Sequence, residues 1–371
     1  MKIGSFEFNL REFAGSLGDL GTLFPLAVGY IAVCGMDPTG MLVMMGAANI
    51  ATGLIYKLPM PIEPMKVLAV MAIAQQWRPS LIYASGFAMG IVWLLMYLTG
   101  AIKLVARYTP REVIRGIQVS LGLLLAMEAL GMVATELFLA ILSVVIIVFL
   151  RDSRRAPASI VLVALGVVLV FLREGSAALP AISISLPSIE RFTFGEVWES
   201  LVRAGFAQVP LTATNAVIAT SALISHYWPD KKVPEPKLAL NMGIMNLIMP
   251  FFGGMPLCHG AGGLAGQYFF GARTGGTNIL EGIWEISLGL FFGASIATIL
   301  GAFPQAITGA MLLLVGLELI RFAKDLPMEA RSLSAAVTVL VSVFSNMAFG
   351  YAAGMAFHHI CFSRKGGAHA A

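Results

Sequence analysis

Residues 255–276 read MPLCHGAGGLAGQYFFGARTGG. Pro256 opens the run, and residues 254–276 carry eight glycines, at positions 254, 260, 262, 263, 266, 271, 275 and 276. Apolar stretches flank it on both sides, which puts it at membrane depth. Backbone so rich in glycine and interrupted by proline leaves N–H and C=O groups that a regular span would pair internally. In a bilayer this is tolerated only where protein or a water-filled cavity surrounds the backbone. Interrupted segments of this kind are the best sequence pointer to a transporter's binding site. The run therefore predicts a broken helix at the centre of a membrane protein.

Composition agrees. Of 371 residues, 58% are hydrophobic and 12% charged, against roughly 25% charged in a soluble domain. The chain reads as an all-α polytopic membrane protein of the inner or plasma membrane. Its net charge of +4 is spread between apolar stretches rather than gathered on one face, so no nucleic-acid partner is expected. Cys34, Cys258 and Cys361 lie far apart, without a CxxC pair, so neither a disulfide framework nor a zinc site is expected. There is no GxSxG, Walker or HExxH pattern. An enzyme, a primary pump and a cofactor are therefore not expected. Lys2 and Arg11 precede the first apolar run, and no A-x-A-like site follows it closely, so it reads as a retained first span.

Outward from the glycine run, apolar stretches occur at about 13–35, 39–57, 59–76, 80–101, 111–131, 134–150 and 157–173. They resume at about 205–226, 236–253, 255–272, 279–299, 304–322, 331–348 and 349–363. That makes about fourteen spans, several shorter than the roughly 20 residues a full crossing needs. The interval 174–204 is more polar, with Pro180, Pro187, Glu190, Glu196 and Glu199, and reads as a connector with an interfacial helix at 195–204. With fourteen spans and both termini cytoplasmic, most of the 24 basic residues fall inside. They include the clusters Lys103/Arg107/Arg111/Arg115, Arg151/Arg154/Arg155 and Lys231/Lys232/Lys237, and the tail pair Arg364/Lys365.

An internal repeat accounts for the break. Met60-Pro61-Ile62-Glu63-Pro64-Met65 aligns with Met255-Pro256-Leu257-Cys258-His259-Gly260 at an offset of 195. Pro110 aligns with Pro304, and Gly122-Leu123 with Gly316-Leu317, both at 194. Seven spans per half is an odd number, so the second half inserts upside down and the broken third and tenth spans meet. The expected organisation is residues 1–173 as the first repeat, 174–204 as the connector, 205–363 as the second repeat and 364–371 as a short tail.

In each broken segment an extended stretch (58–61, 253–256) precedes a helix starting at about Pro64 in one half and about His259 in the other. Proline is compatible with a helix start, where its missing N–H would be unpaired anyway. Two such starts facing each other make an anion site from free N–H groups and dipole ends. The candidate binding residues are Pro64, Met65 and Lys66 in the first half. In the second they are Cys258, His259, Gly260, Ala261 and Gly262, whose glycines allow close approach of a ligand to backbone; tight helix packing is the alternative reading. Glu63 and Asp19 are acids within spans, and such groups default to functional candidates. Glu63 is expected to take up a proton, with a structural Glu63–Lys66 ion pair as the bland alternative. Asp19 is a second proton candidate or a helix cap. In the eighth span, Gln208, Thr212, Thr214 and Asn215 form a polar stripe suited either to an oxyanion or to interhelical bonds, and the offset sets Thr214 opposite Asp19. Cys258 and His259, being adjacent, do not make a metal site. Glu281, Glu285 and Glu318 are left without a role.

LGDLGTLFP, MPIEPMKVLAVMAIA, PLTATNAVIATSAL and the glycine run together resemble the molybdate transporter family, related to the sulfate permeases. The resemblance covers both halves. It implies import of molybdate, with sulfate as a further substrate. It also implies a core domain of spans 1–4 and 8–11 moving against a gate domain of spans 5–7 and 12–14. Many family members carry glutamine where this chain has Glu63. The expected partners are the oxyanion, protons and lipid, with a homodimer allowed. A sulfate or other anion carrier and an anion channel stay open as alternatives.

Overall fold

The computed structural model describes residues 1–150, 153, 158–175, 182–326, 329–345 and 347–362. The basic residues Arg151, Arg154, Arg155, Arg364 and Lys365, Pro180, the tail at 364–371 and the side chain of Glu318 lie outside the described residues.

The chain opens with an antiparallel hairpin, β1 (Lys2–Ile3) and β2 (Phe6–Glu7), turning through Gly4 at φ +59°. Asn9 accepts from Arg11 and Glu12 N–H to cap α1 (Leu10–Gly15), and α2 (Leu20–Ala32) follows. Asp37 caps α3 (Pro38–Tyr56), which begins on a proline that needs no N–H partner and stops at Lys57 in the left-handed region. An extended stretch then leads through β3 (Glu63–Pro64) into the short α4 (Lys66–Ala74). Next come α5 (Pro79–Leu98), α6 (Ala101–Tyr108), α7 (Arg111–Val133), α8 (Leu137–Leu150) and α9 (Ala158–Glu174). In the second half, α10 (Phe194–Ser200), α11 (Phe206–Thr212) and α12 (Thr220–Tyr227) are joined by two π-helical stretches, Leu201–Gly205 and Ala213–Ala219. α13 (Glu235–Ile248) leads to β4 (Leu257–Cys258) and the short α14 (Ala261–Phe269). The chain continues with α15 (Gly276–Ala302), α16 (Gln305–Ile320), α17 (Leu333–Phe344) and α18 (Met347–Phe362).

Both predicted breaks are present, each starting its helix two residues later than expected, at Lys66 and Ala261. The cause is tertiary: Glu63–Pro64 and Leu257–Cys258 are held extended by pairing with each other. The connector helix also differs. The residues expected to form an interfacial helix at 195–204 run on through the π-helical turn into α11, with a 65° bend between 194–205 and 208–227. Thr193 and Glu196 start it with a reciprocal capping box. The amphipathic α6, with Lys103 and Arg107, was hidden from the hydropathy reading at the tail of an apolar stretch.

Among the described residues, α3, α5 and α7 are long and apolar enough to cross a membrane singly. The apolar helices at 137–150, 158–173, 305–317 and 330–344 are shorter. The most extensive helix pairings are α3 with α15, α7 with α16 and α5 with α13. Glycines set their close approach: a Cβ on Gly46 or Gly53 would strike α15 or its leader, on Gly90 the α13 backbone, and on Gly122 the backbone of Gly316. Without a hydrophobic force between helices in lipid, such backbone-close contacts are what hold them. Phe138 and Phe149 on α8 stay exposed, as a lipid-facing surface allows.

Candidate functional site

β3 and β4 cross as a buried antiparallel pair, Glu63 opposite Cys258 and Pro64 opposite Leu257. Two-residue strands leave most backbone groups without a ladder partner, and buried ones must find another. Two asparagines supply it. Asn278 at the start of α15 accepts from Met60 N–H (2.8 Å) and donates to Met60 O (2.6 Å). Asn246 on α13 accepts from Leu257 N–H (2.9 Å) and donates to Leu257 O (2.7 Å). Met65 N–H donates to Pro256 O at 2.9 Å, closing the crossing.

Two short helices start from this crossing, and neither residue preceding them caps its helix with a side chain. Each start carries roughly half a unit of positive charge. At α4, Val67 and Leu68 N–H both donate to Gln208 Oε1, at 2.8 and 3.2 Å. Gln208 Nε2 donates in turn to Thr212 Oγ1 at 2.6 Å. The Lys66 ammonium nitrogen is buried without a hydrogen-bond partner among the described residues. At α14, the Glu63 carboxyl group lies against the backbone: a Cβ on Gly260 or Gly263 would run into its oxygens. Glu63 and Lys66 thus stand on different elements and serve different helix starts, rather than sharing one helix face.

The remaining sequence candidates divide. Pro64 and Cys258 are ladder residues, and Met65, Gly260 and Ala261 form the helix starts. Gly262 faces α7, where an added Cβ would meet Leu125 at 3.3 Å and Leu121 at 3.7 Å. Asn215 is buried, and its Oδ1 has no hydrogen-bond partner among the described residues. Thr214 turns back on its own helix, donating to Pro210 and Leu211 carbonyls. His259 has both ring nitrogens engaged, Nδ1 with Pro61 O (3.1 Å) and Nε2 with the Asn241 side chain (2.8 Å). Its carbonyl accepts from Thr220. That makes His259 a brace between the crossing and α13.

Asp19, just before α2, is buried beside Glu281 and Glu63. Two of the three acids left without a role in the sequence reading, Glu281 and Glu285, are part of this surround. Glu281 accepts from Gln267 Nε2 and Glu285 from Asn49 Nδ2, both at 2.8 Å, and Asn49 Oδ1 accepts from Asn278 at 2.7 Å. An amide chain therefore runs from Glu285 through Asn49 and Asn278 to the crossing. The signal was available as a polar stripe: 278, 281 and 285 share one helix face.

The end of the glycine run is held from the N-terminal side. Glu12 on α1 accepts from the N–H groups of Arg273 (3.2 Å) and Thr274 (3.1 Å) and from the Thr277 hydroxyl. Burial pushes the Glu12 carboxyl above the usual carboxylate range, against those hydrogen bonds. Burial likewise lowers Arg273, whose guanidinium stacks 3.8 Å over the Tyr268 ring.

Helices paired around a buried two-strand pairing, with two short helices starting at it, define a class of multi-pass membrane fold. The chain aligns over 95% of its length with the structure of SLC26A9, at a TM-score of 0.64 and 13% identity, and spans 64% of that chain. The transmembrane domain of the cyanobacterium bicarbonate transporter BicA gives 0.58 at 17% identity, with 93% and 97% covered. At these identities the likeness is one of fold. Sequence narrows it. The family model described as a molybdate transporter of the MFS superfamily matches residues 11–125 and 200–319. Molybdate transporter 2 of Arabidopsis thaliana is 33% identical, covering 94% of this chain and 86% of that protein. Molybdate transporter 1 of the same plant is 31% identical over 98% and 90%. The chain belongs to the molybdate transporter family, a family of integral membrane transport proteins rather than enzymes.

Proposed function

We propose that this protein is a secondary active importer of molybdate, driven by protons and working by alternating access. The oxyanion binds at the β3–β4 crossing, between the starts of α4 and α14. The carrying observation is the Lys66 ammonium, buried at the α4 start without a hydrogen-bond partner among the described residues. A buried ammonium without hydrogen bonds is costly, and a dianion beside it offsets that cost. Glu63 sits at the opposite start, so its protonation removes the negative charge that would oppose the incoming dianion. Asp19 is the second proton candidate.

The moving parts in this reading are the core domain of spans 1–4 and 8–11 and the gate domain of spans 5–7 and 12–14, built as a seven-plus-seven inverted repeat. Two features support it. Glu63 pairs with Cys258, its own counterpart at the offset of 195. The α3–α15 pairing is mirrored by that of α5 with α13.

The test is uptake of labelled molybdate by a strain lacking its own high-affinity system. Uptake above empty vector at submicromolar substrate and acidic pH is expected, and its absence sinks the reading. Lys66→Gln should reduce uptake at least roughly tenfold, since a charge-assisted contact contributes about 1.5–3 kcal/mol. The fold's likeness to an anion transporter and a bicarbonate transporter favours a second reading, a carrier of sulfate or another anion. Competition by excess sulfate decides between them. Single-channel currents without accumulation would instead mark an anion channel.

A further inference from the structure

We propose that Gln208 is a built-in stand-in for the oxyanion at the start of α4, a side chain that the substrate must displace and that returns when it leaves. The inference rests on the binding site proposed above and concerns how its affinity is set. Gln208 is 2% exposed and projects from α11 across to α4. Its Oε1 takes both Val67 N–H and Leu68 N–H. These are first-turn donors that an α-helix leaves unpaired, and α4 has no side-chain cap of its own from Met65. They are also the donors an oxyanion oxygen would use at that position. Each N–H forms one strong bond, so the amide oxygen and an oxyanion exclude each other.

The orientation of the amide is determined. Its Nε2 donates to Thr212 Oγ1 at 2.6 Å; flipped, it would set an NH₂ group against two N–H donors. Thr212 is therefore a positioning residue for the cap. A neutral amide is the weaker competitor, because hydrogen bonds to a charged acceptor are roughly twice as strong. The oxyanion wins the exchange at a discount. On release the amide re-covers two buried donors that would otherwise stand unsatisfied, at a cost comparable to a lost hydrogen bond. A carrier that must bind its cargo at low concentration and still let it go benefits from both effects. A tie between α11 and α4 with no part in binding would look similar in geometry but not in energetics.

Equilibrium binding of molybdate to the purified full-length chain, alongside uptake kinetics, separates the two. Gln208→Ala should tighten molybdate binding by roughly two- to tenfold, the range set by losing a competing hydrogen bond, and lower maximal uptake. Thr212→Val, nearly isosteric, should move affinity in the same direction by less, and it serves if Gln208→Ala folds poorly. Gln208→Glu, which sets a charged acceptor on the same donors, should weaken molybdate binding. Unchanged or weaker binding in both Gln208→Ala and Thr212→Val overturns the proposal and leaves Gln208 a structural tie. Failure of the wild-type chain to bind molybdate sinks the transport reading instead, and the same variants are then read with sulfate as the probe.

Discussion

Glu63 and Lys66 lie three residues apart, yet the fold sends them to opposite helix starts. Glu63 reaches the backbone of Gly260 and Gly263 at the start of α14, while Lys66 begins α4. In the proposed function Glu63 carries the proton that accompanies the anion. Glu63→Gln should flatten the dependence of molybdate uptake on pH, and an unchanged profile removes Glu63 from the coupling role. Glu12 has a pH dependence of another kind. Its carboxyl is raised by burial, so the folded state holds the proton more tightly than the unfolded chain. The associated stability is full below the ordinary value of 4.5 and is lost as pH rises through the raised one. In thermal melts of detergent-solubilised protein, Glu12→Gln should flatten that decline between acidic and neutral pH. A wild-type decline kept in full by the variant assigns it to other groups.

At the scale of elements, the crossing depends on side chains borrowed from neighbouring helices. Two-residue strands cannot hold their own leaders extended at membrane depth. Asn278 and Asn246 do so by presenting an amide where a third strand would present a peptide. Asn278→Leu keeps the volume and removes both bonds to Met60. Leaving buried polar groups unsatisfied costs roughly 1–3 kcal/mol each. The variant should melt well below wild type and lose uptake; a wild-type melting temperature would show that Met60 finds other partners. How the breaks themselves were legible follows from the same chemistry. Proline and glycine disrupt a helix wherever they stand, so Pro61, Pro64, Pro256 and Gly260 announce interruption from sequence. Each helix begins two residues beyond the expected start because strand pairing, a tertiary event, extends the break.

For the whole molecule, Gly262 marks where α14 meets α7, against Leu121 and Leu125. In the proposed division these helices belong to core and gate, so this contact must slide. Gly262→Val should leave molybdate binding within roughly threefold of wild type and cut turnover by about tenfold, because bulk at a moving interface acts on the conformational step. Equal losses in binding and turnover would put Gly262 in the binding site, as the sequence reading has it, rather than at the sliding surface.

The order of apolar runs, the two breaks, the offset of 194 to 195 between halves and the family were all readable from residues alone. They rest on local chemistry: hydropathy, missing N–H groups, missing side chains. The glycine run's character as the start of a half-helix follows from its proline and glycines alone. Which group meets each helix start was decided only by tertiary packing. Gln208 comes from 140 residues away to cap Leu68, Glu63 crosses to the start of α14, and His259 turns aside to Pro61 and Asn241. A buried donor accepts whichever partner the packed helices bring within 3 Å or so. Sequence spacing does not encode that proximity.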